Sequence, residues 1–105
     1  MTAEFAVAMP AVLLVLATAL GGVQLAGLQL RLQDAAADAA RALGRAEAVS
    51  TVEHRARQQV PGAVVEVKSA PDGVVCARLS AAAAGPIGLV GIEVEATSCA
   101  LDGGR

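Results

Sequence analysis

Few side chains in this chain of 105 residues could do chemistry: one histidine (His54), two cysteines (Cys76, Cys99), and carboxylates at Glu4, Glu93 and Glu95. A nucleophile needs a base within hydrogen-bond reach, and His54 falls among Glu53, Arg55 and Arg57 on the polar side of a short helical pattern. It reads as a solvated surface residue. Glu93 and Glu95 are two apart in an alternating stretch, which makes them one solvated strand face rather than an acid/base pair. No CxxC and no His/Cys cluster offers metal-ligand spacing. No glycine-rich phosphate loop follows a strand, because Gly21-Gly22 lies inside an apolar run. The expectation is a protein that is not an enzyme, with no catalytic residues, cofactor or metal. Glu4 stays unexplained by any of these chemistries.

The element behind Glu4 is the apolar stretch of residues 1–30, MTAEFAVAMPAVLLVLATALGGVQLAGLQL. Between Glu4 and Arg31 lie 26 residues without a charge, and only Thr18, Gln24 and Gln29 have polar side chains. As a helix this run reaches roughly 39 Å, against the ~30 Å of a bilayer core. It therefore reads as a transmembrane helix in contact with lipid. A cleaved signal peptide would need a basic start and a shorter apolar core, and no Lys or Arg precedes Arg31. The remaining chain suffices for one small domain. The net charge is −2, the basic residues are scattered, and the single aromatic is Phe5, so nothing supports nucleic-acid binding.

Within the span, Pro10 lacks an amide donor and forces local accommodation. Ala17/Gly21 and Thr18/Gly22/Ala26 place small residues four apart, which permits close helix packing, although small residues are common throughout this Ala-rich chain. Residues 31–49 hold no proline and many alanines, so the helix is expected to continue. Leu28, Leu32, Ala36, Ala39, Leu43 and Ala46 form a thin stripe at three- and four-residue spacing. Such a stripe suits close packing against a neighbour, or against the chain's own C-terminal domain. A break is expected near residues 44–50. Ser50-Thr51-Val52-Glu53 then fits a capping box, with Glu53 and Arg57 at i and i+4, Val52, Ala56 and Val60 on the apolar face, and Pro61-Gly62 as the stop.

After Gly62 the period becomes two. Residues 63–69 (AVVEVKS) and 74–80 (VVCARLS) flank the turn signal Pro71-Asp72-Gly73 and predict a hairpin. Residues 81–91 (AAAAGPIGLVG) read as a loop with room for one helical turn. Residues 92–99 (IEVEATSC) alternate as a third strand, and the tail should fray. Parity places Cys76 opposite Val75, Ala77 and Leu79, and Cys99 with Glu93, Glu95 and Thr97, so both thiols project from the polar side of the sheet. If the strands are neighbours, a cross-strand disulfide fits. It would stabilise a small domain by roughly 3 kcal/mol. Two unpaired small residues are the other reading.

The expected fold class is α+β: a transmembrane helix (1–30), a helical stalk (31–60) and a small antiparallel β domain of about three strands (61–105). This architecture is similar to that of type IV pilins and pseudopilins. Thr2-Ala3-Glu4-Phe5-Ala6-Val7-Ala8-Met9-Pro10 resembles the start of TadE-like minor pilins of the tight-adherence (Flp) pilus system. LRLQDAAADAARA, residues 30–42, resembles their post-membrane helix, particularly in high-GC actinobacterial members. The C-terminal third is only loosely similar.

The resemblance implies a structural role: a minor pilin or pseudopilin of a tight-adherence, type IV-like pilus or secretion apparatus, assembling through its N-terminal helix. It implies other pilin subunits and the membrane platform of the pilus machinery as partners. It implies that Glu4 assists assembly by pairing with a neighbouring subunit's N-terminal amine, since an intramembrane carboxylate is costly unless paired. It also implies a short basic leader ending in Gly and cut by prepilin peptidase. Glu4 stands one position early for that scheme, so the leader is expected upstream of Met1, with Met1 an internal valine codon (GTG). A basic leader would also settle topology. Five arginines between residues 31 and 57 and none before the span would alone hold the C-terminal domain in the cytoplasm, whereas the family places it extracytoplasmically, anchored by a single pass in the cytoplasmic membrane. The competing reading is a membrane-anchored envelope binding module that never polymerises.

Overall fold

A computed structural model describes residues 2–83 and 85–102, with the backbone alone for 85–87; Met1, Ala84 and residues 103–105 of the expected frayed tail lie outside the described residues. Helix α1 (Thr2–Gly44) is followed by α2 (Val49–Gln59), strand β1 (Val64–Ser69), strand β2 (Val74–Ala82), a 3-10 turn η1 (Gly85–Val90) and strand β3 (Glu93–Leu101). The class is α+β, a long N-terminal helix followed by a small antiparallel sheet of order β1-β2-β3. The molecule measures 71 × 22 × 17 Å.

α1 is uninterrupted through Pro10 and through the boundary at residue 30. Its two halves meet different surroundings. Residues 2–20 are exposed all round, whereas Leu32, Ala35, Ala36, Ala39, Ala40, Ala42 and Leu43 are buried. That second half lies on the inner face of the sheet, where Val75, Ala77, Leu79, Ala81 and Ala96 complete one core with Val52, Ala56 and Val60 of α2 and its exit. Residues 31–60 are therefore not a free stalk. The alanine stripe admits the sheet closely, so the helix covers its own domain and the two bury one apolar layer. Leu32, Leu79 and Val52 are the largest fully buried side chains.

The break between the helices has a defined geometry. The Glu47 N–H donates to the Ala42 carbonyl (3.1 Å) and the Ala46 N–H to that of Leu43 (3.0 Å), the two bonds of a Schellman closure. Its left-handed position is taken by Ala46, with φ of 64°, where glycine is usual. Gly44 serves another purpose. A Cβ there would stand 2.7 Å from the Leu101 carbonyl oxygen, so the glycine lets the helix end abut β3. The capping box expected at Ser50 is not formed: the N-cap is Ala48, in extended conformation and without a side-chain cap bond. The Schellman closure runs to Glu47, leaving Ala48 as the extended residue, and α2 has begun before Ser50 is reached. Glu53 and Arg57 do pair along α2, at 3.6 Å.

The strands alternate as their sequences require. β2 runs two residues past the expected end, its alanines Ala81 and Ala82 pairing with Val94 and Glu93. Gly73 closes the β1–β2 turn at φ of 82°. The direction of β3 is fixed at both ends. The Gln29 side-chain amide donates to the Glu95 carbonyl (3.3 Å), and Gly44 meets Leu101, so β3 runs alongside α1 in the same direction.

Candidate membrane and assembly surface

The surface with most to explain is the part of α1 that nothing covers. Phe5, Val7, Leu14, Val15, Leu20 and Val23 are each at least 64% exposed. The first partly buried apolar residue that packs on the domain core is Leu28, ~36 Å along the helix from Glu4. This helix is long and apolar enough to cross a membrane. Soluble monomers do not present so large a continuous apolar surface; lipid or other apolar helices are what it suits.

Its polar atoms are handled accordingly. Thr18 donates its hydroxyl to the Leu14 carbonyl at 2.8 Å, a bond within the helix that is compatible with a hydrocarbon surround. Pro10 leaves the Ala6 carbonyl without its usual helical donor, and the helix passes through without a break. Glu4 stands exposed in the first turn, where the helix N-terminus favours a carboxylate. Ala17, Gly22 and Ala26 are exposed and Gly21 is buried, and a Cβ at Gly22 would meet nothing. Ala17, Gly22 and Ala26 therefore stay on the uncovered part of α1, whereas Gly21 is covered.

The second site is on the outer face of the sheet. Cys76 and Cys99 stand directly opposite in the β2–β3 register and form a disulfide, with Cα atoms 4.0 Å apart. Lys68 continues that row on β1. In the next row Arg78 bonds Glu95 at 2.6 Å and lies 3.9 Å from Glu66. The bond from Glu95, then the charges of Glu95 and Glu66, hold the guanidinium above its ordinary value. At the α1–α2 turn, Glu47 accepts from Arg45 (2.8 Å) and Arg55 (2.9 Å), and those bonds keep its carboxyl below the usual carboxylate range. All these groups lie on the surface, and they clamp strands and helix ends.

His54 is exposed on α2 with Gln58 3.3 Å away. Among the described residues no group of three or more His, Cys, Asp or Glu could hold a metal ion. Neither the Arg78–Glu95 diagonal nor the Glu47 clamp is legible in residue spacing alone. Alternation put Arg78 and Glu95 on one face, yet only the register brings them within reach. Comparison with family models, with characterised proteins and with solved structures finds no match to this chain.

Proposed function

We propose that this protein is a structural, non-enzymatic subunit anchored in the cytoplasmic membrane by α1, and that it takes part in a pilus or secretion assembly of the tight-adherence, type IV-like kind. The observation that carries this reading is the uncovered, uncharged half of α1, headed by Glu4 and continuous with the helix that organises the β domain. An apolar helix of that length can lie in lipid and later exchange lipid for neighbouring helices. Glu4 then acts as the assembly charge, paired with a basic group of an adjacent subunit as the helices pack. The partners on this reading are other pilin-like subunits, the membrane platform, and prepilin peptidase acting on a leader. The disulfide belongs with an extracytoplasmic domain, because such bonds persist outside the reducing cytosol.

The test separates anchoring from assembly. Wild-type protein and Glu4→Ala are expressed in a host carrying the assembly machinery, and membrane and sheared-surface fractions are compared. The expected result is wild type in both fractions and Glu4→Ala in the membrane alone. Normal surface assembly of Glu4→Ala would refute the role given to that carboxylate. A wild-type chain confined to the membrane would instead identify an anchored envelope binding module that does not polymerise.

A further inference from the structure

The two ends of the β domain differ in charge. At the end remote from the span lie the turn of residues 45–48, clamped by Arg45 and Glu47, and the β1–β2 turn with Asp72. At the end facing the span lie the connection from α2 to β1 and the connection from β2 to β3. Val60, Pro61 and Ala81–Ala83 line a cleft there with Val23, Leu25 and Leu28 of α1. Both connections are free of charge: eight residues between Arg57 and Glu66, and fourteen between Arg78 and Glu93. The second contains η1, which packs beside α1 and holds Leu89 91% exposed and Val90 74% exposed. These are not strays on a polar surface. They sit at the level where the uncovered helix enters the domain, with Val64, 56% exposed, at the neighbouring strand start.

We propose that this end of the domain, led by Leu89 and Val90 of η1, is a second membrane contact that inserts into the lipid interface beside α1. The inference rests on reading α1 as a membrane span. The occupant is lipid because the apolar end is continuous with that span: about 20 residues, 5–24, fill the hydrocarbon thickness and bring the domain rim to the headgroup level. Arg31 lines the cleft at this level and suits headgroup phosphates. Glu93 opens β3 at the same rim, and Arg57 is held there by Glu53 and by the Ala63 carbonyl (3.4 Å), so the flanking charges ring the apolar tip without interrupting it. Apolar side chains at such a boundary settle about 5–10 Å below the headgroup surface. With a helix and a loop both engaged, the domain would be held at one tilt and rotation rather than swivelling about a single pass.

The chain has no tryptophan, so single-tryptophan variants report without background. Full-length Leu89→Trp, Val90→Trp, Val15→Trp and Asp72→Trp are reconstituted with the disulfide intact in phosphatidylcholine/phosphatidylglycerol vesicles, with lipids brominated at shallow or deep acyl positions. We expect Val15→Trp to lose most emission to the deep quencher. Leu89→Trp and Val90→Trp should be blue-shifted and lose most emission to the shallow one, and Asp72→Trp should lose little to either. Quenching of Val15→Trp with none at positions 89 and 90 overturns the inference and leaves the span standing; a blue shift there without lipid quenching would mean that protein covers the loop and would overturn it equally. An unquenched Val15→Trp would defeat the span and this inference together.

Discussion

Gly44 and Ala46 are two residues apart at the end of α1, and exchanging glycine and alanine at each should act in opposite directions. At position 46 the backbone is left-handed, with φ of 64°. This conformation costs an L-residue with a Cβ about 1–2 kcal/mol, while glycine loses about 0.5–1 kcal/mol more entropy on folding. Ala46→Gly should therefore stabilise the domain by about 0.5–1 kcal/mol. At position 44 the helical propensity of alanine alone favours Gly44→Ala by up to about 1 kcal/mol. The added Cβ would lie 2.7 Å from the Leu101 carbonyl oxygen, and that oxygen is pinned: Leu101 pairs with Val74 in the sheet, and the next amide, Asp102, donates to the Gly73 carbonyl. Overpacking against a fixed backbone costs about 1–3 kcal/mol, so the net change should be destabilising by about 1–2 kcal/mol. Native-state hydrogen exchange of the slowest β2 amides, in micelles, reads both. Ala46→Gly should slow exchange about 2- to 5-fold and Gly44→Ala should speed it about 5- to 30-fold, at 1.4 kcal/mol per tenfold. Equal or slower exchange in Gly44→Ala would refute the close approach. Faster exchange in Ala46→Gly would refute the Schellman assignment.

Other perturbations test the remaining parts. Cys76→Ser with Cys99→Ser opens a loop of sequence separation 23 and should cost about 3 kcal/mol by the chain-entropy argument, measured by the same exchange; a loss below about 1 kcal/mol would contradict it. Leu79→Ala empties the centre of the core, where Leu79 is fully buried, and should cost about 2–5 kcal/mol, whereas Leu89→Ala in micelles should stay within about 0.5 kcal/mol. The lowered Glu47 carboxyl contributes stability that is fully present above about pH 4.3 and is lost as pH falls through the folded-state value. Thermal melts of wild type and Glu47→Gln should therefore differ near neutrality and converge in acid. Divergence that grows in acid would reverse the sign of that argument.

The parts of this fold written in periodicity were legible. Alternation in β1, β2 and β3 set which residues face the core, and the parity of Cys76 and Cys99 put both thiols on one face, where the register makes them direct neighbours. The stripe through Leu32, Ala36, Ala39 and Leu43 marked a packing face. It could not say what packed there, because alanine fits a neighbouring helix and a sheet of the same chain equally well. Local end signals misled where tertiary structure outranked them. Ser50 lost its cap to a closure completed at Glu47, Gly44 was spent on contact with β3, and an alanine took the left-handed turn. Ala81 and Ala82 have weak strand propensity, so the extension of β2 follows from pairing with β3 rather than from its own residues.

The polar side chains along the apolar run divide α1 between two surroundings more sharply than hydropathy does. Thr18 satisfies itself on the Leu14 carbonyl, a bond that needs neither water nor a protein partner. Gln29 reaches out of the helix to the Glu95 carbonyl of β3, which it can do only where the domain is already alongside. Gln24 lies between, in the cleft at the domain rim. The stretch from Phe5 to Gln24 spans about 30 Å as a helix, the thickness of a bilayer core. One unbroken helix thus passes near Gln24 from an uncovered apolar stretch to one packed on its own sheet, and the charge-free loops gather at that level. A domain joined by a flexible linker would have no reason to keep charge off that end; a domain seated rigidly on the span proposed above would.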